Sequence, residues 1–319
     1  MIAEPPAAGL DELDVGEQDG ERSEAPPLPE DTLAALTEAF AGTTGQASGE
    51  HASTLSELAA SSILPCQDLG DVVLVQFASR HAAGLTLQVI ELSDSLVGFY
   101  AHLPDVPDEE ELAYRGLLHA GYSANYVKAF LRNDAQLVMA AEVPLASLTR
   151  ERFTGICLAV AGLADIDTLD LVAGIGFKEQ LDQCVATLSR SIRVDGEAEA
   201  ERLATLMAQA DLPLSPFAPG ALLTTMRLLG ADAPCVVRLQ SACISFIVHL
   251  EDATPSGGDT LRELLRLNEA VDVAKCGMDD DGDLVMLYEV PSLHGGIVEH
   301  LTAQFTQLLI GIAKAVRGS

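Results

Sequence analysis

Apolar residues come in short runs along much of the chain, and polar turns separate these runs. In the first part of the chain, three such runs span residues 72–77, 85–90 and 96–103. Their length and the turn signals between them predict an antiparallel strand meander. Pro104 and Pro107 follow the third run and are expected to end that strand, because proline has no N–H to donate to a sheet ladder.

Helical patterns flank this meander, and a further pair of strands follows it. Asp108 and Glu111 form a capping-box pattern that predicts a helix start, and Asn133-Asp134 is typical of a turn between strands. The predicted elements are a helix at residues 53–62, the three strands, a helix to residue 120, strands at 126–131 and 136–143, and a helix at 148–163. The order α-β-β-β-α-β-β-α predicts an α+β fold with an antiparallel sheet and flanking helices.

The segment from residue 99 to residue 144 occurs a second time, without a gap, from residue 246 to residue 291. Both copies contain Phe-x-x-His-Leu-x-Asp and Arg-x-Leu-Leu, and both end on Leu-Val-Met-x-x-Glu-Val-Pro. Roughly a third of the paired positions are identical. Self-similarity at one fixed offset indicates a repeated structural unit. We therefore predict two copies of the same α+β domain.

The second copy has the same helix-start and turn signals as the first. Thr260 and Glu263 repeat the capping-box pattern, and Asp280-Asp281-Gly282 repeats the turn. The remaining predicted elements are a helix at residues 198–210, strands at 222–228, 235–240 and 243–248, a central helix to residue 267, and a closing helix at 296–316.

Composition sets the domain boundaries. Residues 1–30 are rich in Pro, Gly, Glu and Asp and have few large apolar side chains, so they cannot bury enough surface to offset the entropy of ordering. We predict a disordered acidic tail and linker at 1–48, one domain at 49–170, a helical linker at 171–195 and a second domain at 196–319. The linker helix itself is predicted over 177–193.

Charge limits the class of partner. The 319 residues include 18 Lys and Arg against 48 Asp and Glu, a net charge of −30. This surplus argues against nucleic acid and anionic membrane surfaces, and it suits a protein partner with a basic segment. The N-terminus does not have the pattern of a signal peptide. Six scattered cysteines without Cys-x-x-Cys then indicate buried thiols in a reducing cytoplasm.

One set of residues carries a resemblance to a known family. It comprises Leu264-Leu265-Arg266-Leu267-Asn268, Ala274-Lys275, the Asp-Gly turn and the string from Leu284 to Pro291. With the unit order above, this pattern resembles the YbjN-like and type III secretion chaperone-like (CesT-type) domains. The first copy departs from the family pattern, because Gly121 stands in place of Asn and Val127 stands in place of Ala.

The resemblance implies a non-enzymatic protein-binding domain that is usually small, acidic and dimeric. It implies that secretion chaperones of this fold hold an unfolded client segment against sheet and helix surfaces, and that YbjN-like members act in regulation and stress. Because the chain has two such units, we expect an internal pseudo-dimer or a homodimer.

Two motifs suggest ligand sites, and we favour a structural interpretation of each. Asp279 to Asp283 resembles the start of a calcium loop, but Leu284 and Val290 occupy the positions that require Gly and Glu. A hairpin turn is therefore favoured over adventitious cation binding. Gly174-Ile-Gly176 lacks the third glycine of a dinucleotide turn, and we interpret it as a loop.

The repeated polar residues are also weighed against catalysis. His102 and His249 end equivalent strands, Asp105 and Asp252 give thin support for an orienting acid, and there is no Gly-x-Ser-x-Gly, so strand-end packing is favoured. The pairs Lys128–Glu142 and Lys275–Glu289 are predicted to lie across hairpins. Met139 and Met286 are predicted to be core or sheet-face residues, and no His or Cys cluster has zinc-ligand spacing.

These observations predict a non-enzymatic cytoplasmic protein that holds a polypeptide on apolar surfaces with acidic rims. We predict no catalytic residue, cofactor, metal, nucleic acid or membrane partner, and the partner-binding residues are unknown. Function is expected where the copies differ, as at residues 122–126 against 269–273, and in the tail. The alternative is a regulatory or structural adaptor with an autoinhibitory acidic tail, and an unrecognised enzyme is a third hypothesis.

Overall fold

Twelve strands and six helices make up the part of the chain that the computed structural model describes, which comprises residues 54–77, 85–105, 111–133, 136–164, 196–239, 243–250 and 254–318. All of these residues belong to one compact unit, Gly45–Ser319. We call residues 54–164 the first half and residues 196–318 the second half. None of the described helices has an apolar stretch long enough to cross a membrane.

The two halves have the same order of elements. The first half contains α1 (Leu55–Ser61), β1 (Cys66–Asp68), β2 (Val72–Phe77), β3 (Leu85–Ser93), β4 (Leu96–Asp105), α2 (Glu111–Ser123), β5 (Val127–Arg132), β6 (Gln136–Pro144), a 3-10 turn (Leu145–Ser147) and α3 (Arg150–Ala164). The second half contains α4 (Gly196–Gln209), β7 (Ser215–Ala218), β8 (Ala221–Leu228), β9 (Ala231–Leu239), β10 (Ile244–Leu250), α5 (Gly258–Glu269), β11 (Ala274–Met278), β12 (Leu284–Val290) and α6 (Ile297–Gly318).

Each half forms one six-stranded antiparallel sheet. The strand orders are β1-β2-β3-β4-β6-β5 and β11-β12-β10-β9-β8-β7. The predicted α+β class, antiparallel pairing and flanking helices are therefore confirmed. In both sheets the strand that follows the central helix, β5 or β11, lies at one edge.

The prediction of three strands before the central helix was wrong, because each half has four. The missed strands, β1 and β7, are short and exposed, and they pair with β2 and β8 at the outer sheet edges. Neither contains an apolar run: β1 reads Cys-Gln-Asp and β7 reads Ser-Pro-Phe-Ala. Backbone pairing at an edge produces such strands without a periodic sequence signal.

Two local predictions were also wrong. Strand β4 continues through Pro104 to Asp105, and the register shifts between His102 and Asp105, so the proline lies at an irregular end where its missing N–H costs little. Thr260 does not cap α5, which begins at Gly258 after an N-cap at Gly257 with φ +89°. The turn predictions are confirmed by positive φ at Asn133 and at Gly282.

Several predicted segments lie outside the described residues. They are the acidic tail and linker at 1–48, the linker helix at 177–193, Asp108 of the first capping box, and Gly174-Ile-Gly176. The predictions for these segments stay as they were stated.

The core lies between each sheet and its closing helix. Helix α3 packs on β4 and β6, where Phe99 and Phe153 place their rings 5.7 Å apart. Helix α6 packs on β11 and β12 in the second half. Met139 and Met286 are fully buried in this core, as predicted. Burial of each large apolar side chain contributes about 1.5–3 kcal/mol.

The central helices join the two halves. Helix α2 of the first half packs against β11 of the second half, and α5 of the second half packs against β5 of the first. The two helices also pack against each other. Each central helix therefore lies against the edge strand of the opposite sheet.

Leu229 provides a test of local backbone strain. It lies in the turn between β8 and β9 with φ +51°, and 58% of it is exposed. We expect Leu229→Asn to raise the free energy of unfolding by about 0.5–1 kcal/mol, because asparagine tolerates the left-handed region better than leucine does. Urea unfolding measures this change. Leu69→Asn is the control, since Leu69 is equally exposed at 57% without positive φ, and an equal gain there would contradict the explanation.

Candidate functional site

A buried lysine–glutamate pair lies on the same face of each sheet, opposite the main core. Lys128 Nζ is 2.6 Å from Glu142 Oε2, and Lys275 Nζ is 2.7 Å from Glu289 Oε2. Lys128 pairs in register with Ala140, so Glu142 is its diagonal neighbour. The predicted cross-strand pairs are confirmed. Both lysines are only 1% exposed.

Each lysine also binds the opposite half. Lys128 Nζ donates to the carbonyl of Val271 and, at 2.5 Å, to that of Asp272. Lys275 Nζ donates to the carbonyls of Ala124 at 2.6 Å and Val127 at 3.0 Å.

These carbonyls follow the C-terminal ends of the central helices. Val271 and Asp272 come after α5, and Ala124 comes after α2. The end of a helix carries partial negative charge and unsatisfied carbonyls, which a cation stabilises. Each lysine thus pairs with a glutamate of its own sheet and binds backbone carbonyls that follow a central helix of the other half.

The two glutamates have different additional donors. Glu142 Oε1 accepts the hydroxyl of Tyr100 at 2.7 Å. Glu289 accepts the hydroxyl of Ser245 at 3.3 Å and the backbone N–H of Tyr126 at 2.7 Å. Tyr126 holds this position with φ +66°. The second pair therefore fixes a strained residue of the first half.

The donor count of the ammonium groups decides what this arrangement does chemically. An ammonium has three N–H donors, and Lys128 uses one on Glu142 and two on carbonyls. Burial lowers the pKa of Lys128 and raises the pKa of Glu142, while the attraction between the two groups opposes both changes. With every donor occupied and the pair buried, the arrangement acts as a clamp between the halves.

Asn268 on α5 connects the two edge strands. Its Nδ2 donates to the carbonyl of Ala129 at 3.2 Å and to that of Cys276 at 3.0 Å, and its Oδ1 accepts the N–H of Cys276 at 2.7 Å. Ala129 lies on β5 and Cys276 on β11, so one buried amide satisfies backbone groups of both sheets. The residue at the equivalent position of α2 is Gly121, which has no such group.

The tyrosines that distinguish the first copy have structural roles. Tyr122 packs beside Gly277 of β11, where an added Cβ would lie 3.1 Å from Tyr122 Cβ and 3.2 Å from the carbonyl of Leu118. Tyr126 is buried and binds Glu289 through its backbone. The segment at 122–126 therefore supports the contact between the halves.

The repeated histidines lie in unlike surroundings. His102 is half-buried, and burial and the charge of Arg132 lower its pKa. His249 Nδ1 is 3.5 Å from Asp279 Oδ2. Among the residues that the structure describes, neither histidine hydrogen-bonds to a nucleophile, and the strand-end interpretation stays a prediction.

The acidic stretch from Asp279 forms a hairpin turn, as predicted. Asp279 Oδ1 accepts the N–H groups of Asp281 and Asp283 at 3.1 and 2.9 Å. Within the described ranges, no group of three or more His, Cys, Asp or Glu is placed to hold a metal ion. Four of the five described cysteines are buried, and Cys66 is half-buried.

No family model matches the chain, and no curated protein sequence matches it.

Sequence reasoning found the lysine–glutamate pairs and missed what surrounds them. Spacing within one hairpin predicts a pair on neighbouring strands. The carbonyls that each lysine binds lie 143 to 151 residues away along the chain, and no local pattern indicates such contacts. Asn268 belongs to the residues that carry the family resemblance, and this resemblance was the sequence signal that could have indicated its role.

We expect Lys128→Met to lower the free energy of unfolding by about 3–5 kcal/mol, because it leaves the Glu142 carboxylate buried without its cation. Adding Glu142→Leu should recover much of the loss, since both charges are then removed. Urea unfolding measures both effects. Arg132→Met is the comparison: Arg132 pairs with Glu269 at the surface, with side chains 35% and 40% exposed, and its guanidinium lies over the rings of Tyr100 and Phe130, so the loss should be about 2 kcal/mol or less. An equal loss of unfolding free energy for Lys128→Met and for Arg132→Met would contradict the clamp.

Two glycine variants test the close packing of α2 on β11. We expect Gly277→Ala to destabilise the protein by about 1–3 kcal/mol, because the new methyl group presses on the backbone of α2. Gly121→Ala should instead stabilise it by up to about 1 kcal/mol, because Gly121 is helical and a Cβ there meets no atom within 4 Å. Thermal unfolding compares the two variants, and a stabilising Gly277→Ala would show that the helix does not lie against this strand.

Proposed function

We propose that this protein is a non-enzymatic, cytoplasmic, chaperone-like protein that holds a polypeptide segment with basic and apolar residues. We propose also that its halves are two copies of one domain, related to the YbjN-like and CesT-type domains, which form an internal pseudo-dimer. The reciprocal lysine contacts support the pseudo-dimer, since each half supplies the same kind of contact to the other.

The observation that carries the binding proposal is a one-sided charge distribution on the first half. Residues 54–77 and 85–105, which form α1 and β1–β4, contain six Asp and Glu and neither Lys nor Arg. The turns β1–β2 and β3–β4 lie at the same end of the sheet, because Asp68 pairs with Val73 and Val72 with Ile90.

Exposed leucines accompany the acids at this end. Leu69 is 57% exposed and Leu92 is 43% exposed. The residues of this surface, which we call the acidic turn surface, are Asp68, Leu69, Asp71, Glu91, Leu92 and Asp94. A hydrogen bond from the Gly70 amide lowers the pKa of Asp68, so this carboxylate stays ionised at neutral pH.

Apolar side chains between carboxylates suit a basic and apolar polypeptide. The leucines supply area that is removed from water on binding, and the carboxylates attract lysines and arginines of the partner and raise the rate of encounter. The acidic surface would equally repel nucleic acid. The alternative function, an adaptor regulated by its acidic tail, depends on residues 1–48, which lie outside the described part of the chain.

The binding proposal is tested with a labelled unfolded peptide in which lysines alternate with leucines. We expect Leu69→Ser with Leu92→Ser to weaken binding about tenfold or more, equivalent to about 1.4 kcal/mol. We expect Asp71→Asn with Glu91→Gln to weaken binding chiefly at low salt, since salt screens exposed charges. Fluorescence anisotropy measures the affinity.

Leu229→Ser is the matched control, because Leu229 is 58% exposed in the second half. It should leave the affinity unchanged. Absence of peptide binding to the unaltered protein at low salt would reject the proposed function. Binding that is weakened equally by Leu229→Ser would reject the acidic turn surface as its location.

A further inference from the structure

His300 on α6 lies in a hydrogen-bond network that joins both halves. Its Nδ1 is 2.9 Å from the hydroxyl of Tyr288 on β12, and its Nε2 is 3.5 Å from Gln304 Nε2. The carboxylate of Asp272 lies 4.0 Å from Nε2. Asp272 is also the residue whose carbonyl accepts Lys128 Nζ. Asp272 therefore links His300 to the clamp formed by Lys128.

The orientation of Gln304 fixes the tautomer of His300. Gln304 Oε1 accepts the backbone N–H of Asp272 at 3.0 Å, so the amide nitrogen is the atom that faces the imidazole. An amide nitrogen only donates. His300 Nε2 must therefore be the unprotonated acceptor, and Nδ1 carries the hydrogen and donates to the oxygen of Tyr288.

A second proton on His300 is incompatible with this arrangement. It would place an N–H at Nε2 against the N–H₂ of Gln304, so that two donors face each other. The acceptors within reach are the Gln304 oxygen, after rotation of the amide, and the Asp272 carboxylate. Rotation takes that oxygen away from the Asp272 amide, which then loses its partner.

We propose that protonation of His300 is an acid-driven switch that releases the Asp272 backbone from Gln304 and weakens the contact of Lys128 with the turn after α5. The proton binds at Nε2, Gln304 turns its oxygen toward the imidazolium, and the turn after α5 loses a hydrogen bond. The switch acts on one of the two lysine clamps.

The equivalent site in the first half has none of these groups. With Phe246 aligned to Phe99, the counterparts of His300, Gln304 and Asp272 are Phe153, Cys157 and Asn125. Phe153 and Cys157 are fully buried in the core of the first half. The clamp of Lys275 therefore contains no imidazole and serves as an internal control.

Electrostatics around His300 agree with an acid-sensitive contact. Burial lowers the pKa of His300, His294 lowers it further, and the Asp272 carboxylate raises it. The folded-state pKa of His300 therefore lies below the unfolded value of about 6.5. The contacts of neutral His300 contribute their full stability above pH 6.5, and this contribution falls as the pH drops below 6.5. Tyr288 stays protonated, because burial raises its pKa.

Amide hydrogen exchange of Asp272 in the full-length protein tests the switch. We expect its protection factor to fall about tenfold between pH 7.5 and 5.5, after correction for the intrinsic rate, which equals about 1.4 kcal/mol. The Ala124 amide, which donates to the carbonyl of Ala120 at 3.0 Å beside the Lys275 contact, should show no such change. The His300→Phe variant carries the residue type that the first half has at the equivalent position, Phe153. In this variant the protection of Asp272 should become independent of pH.

A measurement on the unaltered protein covers the case in which this variant does not fold. Nitrogen-15 shifts of the imidazole at pH 8 should show the hydrogen on Nδ1, and the Gln304 side-chain amide should shift with the titration of His300. The hydrogen on Nε2, a protection of Asp272 that does not depend on pH, or an equal change at Ala124 would each overturn the proposal.

Discussion

Two buried ammonium groups constrain how the halves of this fold meet, because each needs acceptors that its own half does not supply. An isolated buried charge costs several kcal/mol, and only close partners repay that cost. Lys128 and Lys275 each obtain one carboxylate from the neighbouring strand and two carbonyls from the opposite half. These carbonyls follow the central helices, so the lysine contacts lie beside the packing of the central helices across the halves. A half on its own would leave its lysine with one partner.

Local patterns predicted much of the fold. Apolar runs and turn residues predicted most of the strands, and hairpin spacing predicted the pairs Lys128–Glu142 and Lys275–Glu289, because these features depend on neighbouring residues. Strands β1 and β7 were missed since they are held by pairing at an edge and have no apolar alternation. The packing of each central helix on the edge strand of the opposite sheet was not predictable, because the contacts between the halves join residues more than 130 positions apart.

The halves share one framework and differ in polar detail. Glu142 accepts a tyrosine hydroxyl, whereas Glu289 accepts a serine hydroxyl and a backbone amide. Strands β1–β4 of the first half contain neither Lys nor Arg, and the second half has a histidine network beside the Asp272 turn. The buried positions that make a helix pack on a sheet are the ones that recur, while exposed and interfacial polar positions vary.

Asn268 has a consequence for the solubility of the chain. A strand at the edge of a sheet offers unpaired N–H and C=O groups that recruit strands of other molecules and start aggregation. By bonding to Ala129 and Cys276 together, Asn268 occupies backbone groups on the inner edge of both sheets with a single side chain. Any event that moves the halves apart would uncover two such edges at once. Separation of the halves is therefore the step at which intermolecular strand pairing would begin.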